Sequence, residues 1–416
     1  MSTVHIVGGG IIGLCSAFYL RKSGIDVIIY DAGEIHSGCS FGNAGLITPS
    51  HFIPLASPGV ISKGIRWMFR STSPFYIRPR INLDLMQWLW RFYANSTARH
   101  VSNTASFMVD FQLLSKELYS SLVSNEKLEF DFKEDGVLMM ARTEKGFHEM
   151  TEMSKYANDL GIFAQKRSPD DILTLEPLAK PDLAGGLFFP QDAHMSPSKL
   201  MESLYQKLIE MGVTFKLKYS IKGFATQKEF ITHLIRVDGR AIPVTKVLLC
   251  AGSWTGKLVK KLGLKMLIQD GKGYSFTTTE VKNCPKIPGI LEEAAVAVTP
   301  MVNHLRIGGS LELSGMNPSI SRTRAHAVIS SIKDYYNHIE VSIPEDEHIW
   351  FGYRPCSADG LPYVGKYPQY QNLFVATGHA MQGMSLGPAT GLLVAEMMTM
   401  RKTSLPVSFL QPDRFM

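Results

Sequence analysis

The order of apolar residues at the start of the chain predicts a strand, a helix and a second strand. A short apolar run at Val4–Val7 is typical of a buried strand, and helical spacing of apolar positions continues from there to about Ser23. Gly24 is the type of residue that ends such a helix. The next apolar run, 27–30, predicts a second strand, and Asp31 stands at its end. We therefore expect a strand–helix–strand unit in the first 31 residues.

The turn between the first strand and the helix is rich in glycine. It reads G-x-G-x-x-G, with glycines at Gly8, Gly10 and Gly13. In this pattern the first glycine permits a tight turn, the second lets the backbone approach a pyrophosphate, and the third lets the helix pack against the strand. Ile11 and Ile12 fall at the helix N-terminus, whose N–H groups favour phosphate, and Asp31 can accept hydrogen bonds from a ribose. The unit predicts dinucleotide binding; the alternative is a purely structural glycine turn.

The rest of the chain alternates between helical and strand-like patterns. A hairpin is predicted around Asp135-Gly136, and the last helix is predicted from near Gly383 to about Arg401. Residues 247–249 read as a buried strand that opens into the small-residue turn Ala251-Gly252-Ser253-Trp254. Segments 271–277, 296–300 and 305–313 predict strands of an antiparallel sheet.

Composition excludes several classes of protein. The chain has 416 residues, of which 45% are hydrophobic and 19% charged, as in ordinary globular proteins. Its five cysteines form no CxxC pair, which argues against zinc, iron–sulfur and disulfide frameworks. A net charge of +6 is too mild to indicate a nucleic-acid partner, and no apolar run approaches the ~20 residues of a membrane span. We expect a cytoplasmic protein.

Residues 60–93 are basic and rich in aromatic side chains. One interpretation is peripheral contact with the inner face of a membrane, where an electron acceptor is found. The simpler interpretation, which we favour, is a helical segment whose aromatic residues lie in the core.

Residues 37–45 form a small-residue loop directly after the second strand. At this loop the sequence resembles the D-amino acid oxidase-like superfamily of FAD oxidoreductases, and within it the D-amino acid dehydrogenase and hydroxy-D-proline dehydrogenase group. The turn at 251–254 and the glycine-rich segment 378–391 resemble further signatures of the superfamily. The resemblance implies non-covalent FAD, bound by the residues of the opening unit together with Ser40, Asn43, Ala44, Gly45, Ala251, Gly252, Trp254, Gly378, His379, Gly383 and Met384. For His379, a packed loop residue is an equal alternative.

The fold implied is a mixture of α/β and α+β. A Rossmann-type FAD-binding domain (1–50, 192–256 and 344–416) is expected to interleave with an antiparallel-sheet substrate domain (51–191 and 257–343).

Two residues are expected to bind the carboxylate of a substrate. By resemblance, Arg354 of the Gly-Tyr-Arg-Pro segment would act as a clamp, and the guanidinium fork suits that role. The alternative is an Arg354–Asp359 pair on a surface turn. Tyr274 would place its hydroxyl beside Arg354, or else be a core aromatic residue. His51, His194 and Gln382 are weaker candidates for the substrate side, and for each histidine we favour a structural role.

The resemblance implies oxidative deamination of a D-amino acid to an imine and then a 2-oxo acid, with electrons passed to a quinone-type acceptor. Segment 381–386 looks more like the hydroxyproline-degrading members, which leaves open a secondary amine such as D-proline, cis-4-hydroxy-D-proline or sarcosine. A tRNA-modifying flavoenzyme and a non-catalytic flavin sensor are more distant alternatives.

Overall fold

The structure is a computed structural model that describes residues 3–68, 72–278, 281, 283–342, 345 and 349–416. Its α-helices are α1 (Ile11–Lys22), α2 (Val60–Met68), α3 (Leu83–Asn95), α4 (Ala98–Ser124), α5 (Glu144–Asp159), α6 (Pro169–Leu175), α7 (Pro197–Glu210), α8 (Thr255–Lys260), α9 (Arg322–Ser330) and α10 (Gly387–Met398). Its strands are β1 (Val4–Val7), β2 (Val27–Tyr30), β3 (Leu46–Ile47), β4 (Phe75–Ile77), β5 (Val137–Ala141), β6 (Gln165–Arg167), β7 (Gly185–Phe189), β8 (Ala193–His194), β9 (Thr214–Lys216), β10 (Ile221–Gln227), β11 (Phe230–Arg236), β12 (Ala241–Pro243), β13 (Lys246–Leu249), β14 (Ile268–Thr278), β15 (Gly289–Leu291), β16 (Val296–Met301), β17 (His304–Leu313), β18 (Trp350–Ser357), β19 (Tyr363–Lys366) and β20 (Leu373–Thr377).

The opening unit builds the centre of a six-stranded sheet with the order β19-β20-β13-β1-β2-β9. All neighbours are parallel except β19, which runs antiparallel to β20. Val4, Ile6 and Leu14 are buried at the contact between this sheet and α1, as the apolar pattern predicts. α1 also packs closely on α10, because a Cβ on Gly391 would lie 2.5 Å from the backbone carbon of Cys15. The predicted strand–helix–strand unit is confirmed.

The second large sheet has nine strands. Eight follow the order β18-β14-β17-β16-β15-β5-β7-β6, and β4 pairs with β17. The pairs made by β14, β16 and β18 are antiparallel, which confirms the expectation for the segments around 271–313. Strand β18 is an edge of this sheet, whereas the next strand along the chain, β19, belongs to the six-stranded sheet. Smaller sheets are formed by β10-β11-β12 and by β3-β8.

Two expectations about individual elements are wrong. Residues 130–136 do not pair with β5, which instead lies between β7 and β15. Phe130 and Phe132 pack against Tyr119 of α4, so this segment follows a helix rather than a neighbouring strand. The last helix begins at Gly387, where Pro388 occupies its first turn, and not near Gly383.

Within the described part of the chain, none of the helices has both the length and the apolar composition needed to cross a bilayer.

Candidate active site

A cavity of about 1470 Å³ is lined by residues of both large sheets and of the loops at their ends. The predicted site residues on its wall are Gly8, Gly10, Ile11, Ile12, Asp31, Ser40, Asn43, Ala44, His51, Ala251, Gly252, Trp254, Tyr274, Arg354, His379, Gln382, Gly383 and Met384. Four others, Gly13, Gly45, Gly378 and His194, do not border it. The fold thus brings most of the predicted residues, which are far apart in sequence, to one cavity.

One end of the cavity is the glycine turn after β1. A Cβ on Gly13 would lie only 2.0 Å from the carbonyl oxygen of Gly8, so the turn and α1 are in contact there. The backbone N–H of Ile11 donates to the hydroxyl of Ser40 at 3.1 Å, which ties the loop after β2 to the helix N-terminus. The N-cap residue of α1 is Gly10, which has no side chain to cap the N–H groups that follow. The N-terminus of α1 therefore presents N–H groups to the cavity, as a pyrophosphate requires.

Asp31 lies beside this turn with its carboxylate fixed. Oδ2 accepts from the N–H of Gly9 at 2.6 Å, and Oδ1 accepts from the N–H of Gly33 at 2.8 Å. Because a carboxylate can accept about four hydrogen bonds, it retains acceptor capacity on the cavity side. This arrangement suits a ribose diol next to the pyrophosphate site.

The nine-stranded sheet contributes a patch of glycine main chain to the cavity wall. Gly273, Gly308 and Gly352 lie on three neighbouring strands and share one face of the sheet. A Cβ at Gly352 would lie 2.4 Å from the ring of Trp350, which also lies across Gly42. In the turn after β13, a Cβ on Gly252 would meet nothing within 4 Å. A flat ring system fits such a side-chain-poor space, and together with the phosphate and ribose sites these residues fit FAD.

Sequence reasoning did not identify Trp350 as a site residue. The available signal was its spacing of four from Arg354, because residues an even number apart share a face of a strand.

Arg354 projects from β18 onto this glycine face. A Cβ on Gly273 would lie 2.4 Å from its guanidinium carbon and nitrogens. Nη1 donates to the carbonyl oxygen of Ser310, and no described residue forms an ion pair with Arg354. The predicted alternative of an Arg354–Asp359 pair is wrong, because Asp359 pairs with Arg414. Burial lowers the pKa of Arg354. A partly buried cation without a counter-charge carries a desolvation cost, and an anionic guest would offset that cost.

Tyr274 borders the cavity, but its hydroxyl does not lie beside Arg354, and that prediction is wrong. The hydroxyl donates to Oε1 of Glu312 at 2.8 Å and accepts from the N–H of Ser321 at 2.9 Å. Successive residues of a strand alternate between faces, and Gly273 occupies the Arg354 face. Tyr274 therefore faces the opposite side, where Lys272 also contacts Glu312 at 3.4 Å.

The three candidate histidines have different environments. His51 borders the cavity, and burial lowers its pKa to about 4. His379 also borders it, but its Nε2 is bonded to the Thr390 hydroxyl at 3.0 Å, and burial lowers its pKa to about 3. His194 lies in β8, paired with Leu46, and does not reach the cavity. Its structural explanation is therefore the better one. Gln382 borders the cavity and donates through Nε2 to the backbone oxygen of His51.

Comparison with known proteins places this geometry in context. The chain is 28% identical over 397 residues to a D-amino acid dehydrogenase of Helicobacter pylori, covering 95% of this chain and 94% of that one. It is 29% identical over 409 residues to a D-amino acid dehydrogenase of Granulibacter bethesdensis, covering 97% of each chain.

Among solved structures, glycine oxidase from Geobacillus kaustophilus superimposes with a TM-score of 0.75 and 22% identity over the full length of both chains. L-proline dehydrogenase from P. horikoshii gives 0.72 and 20%, covering 100% of this chain and 97% of that one. Both share the fold seen here. Residues 3–397 match the family described as DAO, FAD dependent oxidoreductase. With the nucleotide turn, the acid after β2 and the glycine-lined cavity in one molecule, the chain belongs to this family of FAD-dependent oxidoreductases.

Proposed function

We propose that the protein oxidises D-amino acids to imines, which water then hydrolyses to 2-oxo acids. The observation that carries this proposal is Arg354, a partly buried guanidinium that lines the cavity without an ion-pair partner among the described residues. An α-amino acid brings the planar carboxylate that a guanidinium fork binds with two parallel hydrogen bonds. The relatives named D-amino acid dehydrogenase, similar over nearly the whole chain, support the same substrate class.

In this mechanism the protein acts mainly by positioning its substrate. Bound FAD supplies the two-electron oxidation. Arg354 holds the carboxylate, and Gly273 leaves the space in which the guanidinium lies. Leu55, Phe75 and Leu311 contribute apolar side chains to the wall, and apolar walls exclude bulk water from the bound substrate. Fixing one end of a small substrate in this way contributes most of its orientation.

A secondary amino acid is the second candidate substrate. Residues 381–385, which fall in the segment that resembles hydroxyproline-degrading members, all border the cavity. D-Proline, cis-4-hydroxy-D-proline and sarcosine carry the same carboxylate and differ at the amine. They therefore fit the same clamp and are distinguished from D-alanine only by the surroundings of the nitrogen.

A quinone-type acceptor at a membrane surface is the electron acceptor we propose. Helices α2 and α3 border the cavity through Trp67, Leu89 and Phe92. In these helices and just before α3, a set of large apolar residues is exposed, called here the α2–α3 apolar patch: Ile65, Ile81, Leu83, Met86, Trp90 and Tyr93. Trp88, by contrast, is buried and stacks on Phe92, so part of this segment does lie in the core. Residues 69–71 lie outside the described residues.

The test is a substrate panel on the purified holoenzyme. Under anaerobic conditions, D-alanine, D-proline, cis-4-hydroxy-D-proline and sarcosine are added one at a time, and flavin bleaching is followed beside the L-isomers. We expect bleaching by one D-amino acid or secondary amine, then faster reoxidation by a quinone analogue than by oxygen. A flavin that none of these compounds bleaches would contradict the proposed substrate class.

A further inference from the structure

His51 and Ser50 connect the cavity wall to the fully buried carboxyl group of Asp192 by hydrogen bonds. Asp192 follows β7 and has no exposed surface. Its Oδ2 accepts from the hydroxyl of Ser50 at 2.5 Å, and its Oδ1 accepts from the backbone N–H of Ser50 at 3.0 Å. The Ser50 hydroxyl also lies 3.2 Å from Nδ1 of His51. The carboxyl, the hydroxyl and the imidazole thus form a continuous hydrogen-bonded chain.

The outer end of this chain faces the cavity. His51 is on the cavity wall, and Gln382 fixes its backbone by donating to its carbonyl oxygen. Its Nε2 bonds to no described residue and is not among the polar atoms that the protein fully encloses. Nε2 is therefore free to contact a guest in the cavity.

The direction of the hydrogen bonds follows from the ionised carboxylate. Ionised Asp192 only accepts, so the single proton of the Ser50 hydroxyl points to Asp192. The Ser50 oxygen can then only accept from His51, which places the imidazole proton on Nδ1. Nε2 is left with a lone pair on its cavity side. An amino acid held by Arg354 brings an ammonium group, which is the donor that such a lone pair accepts.

We propose that the chain Asp192–Ser50–His51 receives the proton that the ammonium group of the substrate must lose before oxidation. This inference rests on the proposed function. One ammonium N–H bond breaks as an Nε2–H bond forms. The Nδ1 proton passes to the Ser50 oxygen, and the Ser50 hydroxyl proton passes to Oδ2 of Asp192. The products are a neutral amine and a neutral carboxylic acid, with His51 neutral throughout.

The charges around the chain agree with this direction of transfer. Burial raises the pKa of Asp192 to about 7, whereas burial lowers the pKa of His51 to about 4. A proton therefore rests on Asp192 more readily than on the imidazole. Lys116 of α4 is the cation that acts on Asp192, and it is itself paired with Glu134 at 2.8 Å. No charged side chain of the described residues contributes to the His51 pKa.

A direct test is infrared difference spectroscopy on the holoenzyme with 2-aminoisobutyrate, an amino acid without the α-hydrogen needed for oxidation. We expect its binding, seen as a change in flavin absorption, to produce the carbonyl stretch of a newly protonated carboxyl group. Isobutyrate, which lacks the amine, should produce none, and Asp192→Asn should abolish the band. A flavin change without a carboxyl band would overturn the proposal.

The pH profile of Ser50→Ala provides a second test that needs no inhibitor. Without the hydroxyl, the variant can oxidise only substrate molecules whose amino group is already deprotonated when they bind. We expect its kcat/KM to fall on the order of 10²-fold at pH 7 and to approach the unmutated enzyme at high pH. Ser154→Ala, which removes a buried hydroxyl bonded within α5, is the matched control.

An equal loss at every pH, or no loss, would overturn the relay while leaving the proposed function intact. A flavin that no amino acid bleaches would instead remove the proposed function. If Ser50→Ala does not fold, the infrared experiment on the unmutated enzyme still decides the question.

Discussion

Asp359 and Arg414 form a two-pronged ion pair, with Nε to Oδ2 at 2.7 Å and Nη2 to Oδ1 at 2.9 Å. The same guanidinium donates to the carbonyl oxygens of Leu361 and Pro362. Asp359 is the acidic residue nearest in sequence to Arg354. Both carboxylate oxygens of Asp359 are bonded to Arg414. Arg354 is consequently available to a guest in the cavity.

Replacing Arg354 with methionine should weaken substrate binding without loss of FAD. Removing one partner of a buried charged pair costs about 2–5 kcal/mol, so kcat/KM should fall between roughly 30-fold and several thousand-fold, mostly through KM. Steady-state kinetics and the flavin content of the purified variant measure both effects. Arg99→Met, on an exposed position of α4, is the control and should change neither. Unchanged KM in Arg354→Met would remove the clamp from the proposal.

Gly273→Ala should displace the guanidinium without removing it. The new Cβ would meet the Arg354 guanidinium at 2.4 Å, a separation that requires one of them to move. We expect KM to rise roughly 10-fold or more, as for a shift that lengthens charged hydrogen bonds, while the protein remains yellow. Gly223→Ala is the matched strand variant, since its Cβ meets nothing within 4 Å. Kinetics that are equal for the two variants would contradict the position assigned to Arg354.

Breaking the Asp359–Arg414 pair should destabilise the fold. Both side chains are mostly buried, with 6% and 13% of their surfaces exposed. Arg414→Met leaves Asp359 as an uncompensated buried charge, so the free energy of unfolding should fall by about 3–5 kcal/mol. The double variant Arg414→Met with Asp359→Asn should recover part of that loss. Urea unfolding of the unmutated protein and of both variants measures this, and a double variant no more stable than Arg414→Met would show that the two residues do not act as a pair.

His194 should make stability depend on pH. Burial lowers its pKa to about 4, and its Nδ1 has no hydrogen-bond partner. The unfolded chain, with an ordinary pKa near 6.5, binds the proton more readily, so stability is complete above pH 6.5 and falls toward pH 4. Between pH 7 and pH 5 this histidine should cost about 2 kcal/mol. The free energy of unfolding of His194→Leu should therefore fall less between pH 7 and pH 5 than that of the unmutated protein. The same fall in both proteins would show that His194 is not the residue responsible.

The α2–α3 apolar patch should bind lipid if the proposed acceptor is reached at a membrane. Lys63, Arg66 and Arg91 accompany the patch, so sedimentation with anionic vesicles should exceed that with zwitterionic ones. Trp90→Ser with Met86→Ser should reduce binding several-fold. Phe163→Ser, an exposed aromatic position outside the patch, should leave it unchanged. Equal binding by all three proteins would argue against the patch as the contact.

The opening unit was predictable because every feature it needs is local. Val4–Val7 is a short strand, Gly8 has a positive φ of 114°, Gly13 meets the carbonyl oxygen of Gly8 in the same turn, and Asp31 directly follows β2. Tyr274 was misjudged for a different reason. Strand alternation shows that Gly273 and Tyr274 face opposite sides but does not reveal which side holds the cavity.

The remaining features depend on contacts between distant parts of the chain. Ser50 meets Asp192 across 142 positions, and no local pattern indicates that pairing. The start of α10 depends on the turn at 379–385, whose residues border the cavity instead of continuing the helix. The hairpin at 135–136 failed because β5 found its partners in β7 and β15 rather than in its predecessor.

Arg354 lies on the edge strand β18, shortly before the chain enters β19. This position bears on which substrates the site can accept. The guanidinium is carried by strand β18 and the glycine turn directly follows strand β1, so strands of the two large sheets hold both ends of the site. The position of the substrate carboxylate relative to the cofactor site is therefore the same for every substrate that Arg354 binds. New substrate specificities would arise from changes in the volume left for the substrate side chain, while Arg354 keeps its position.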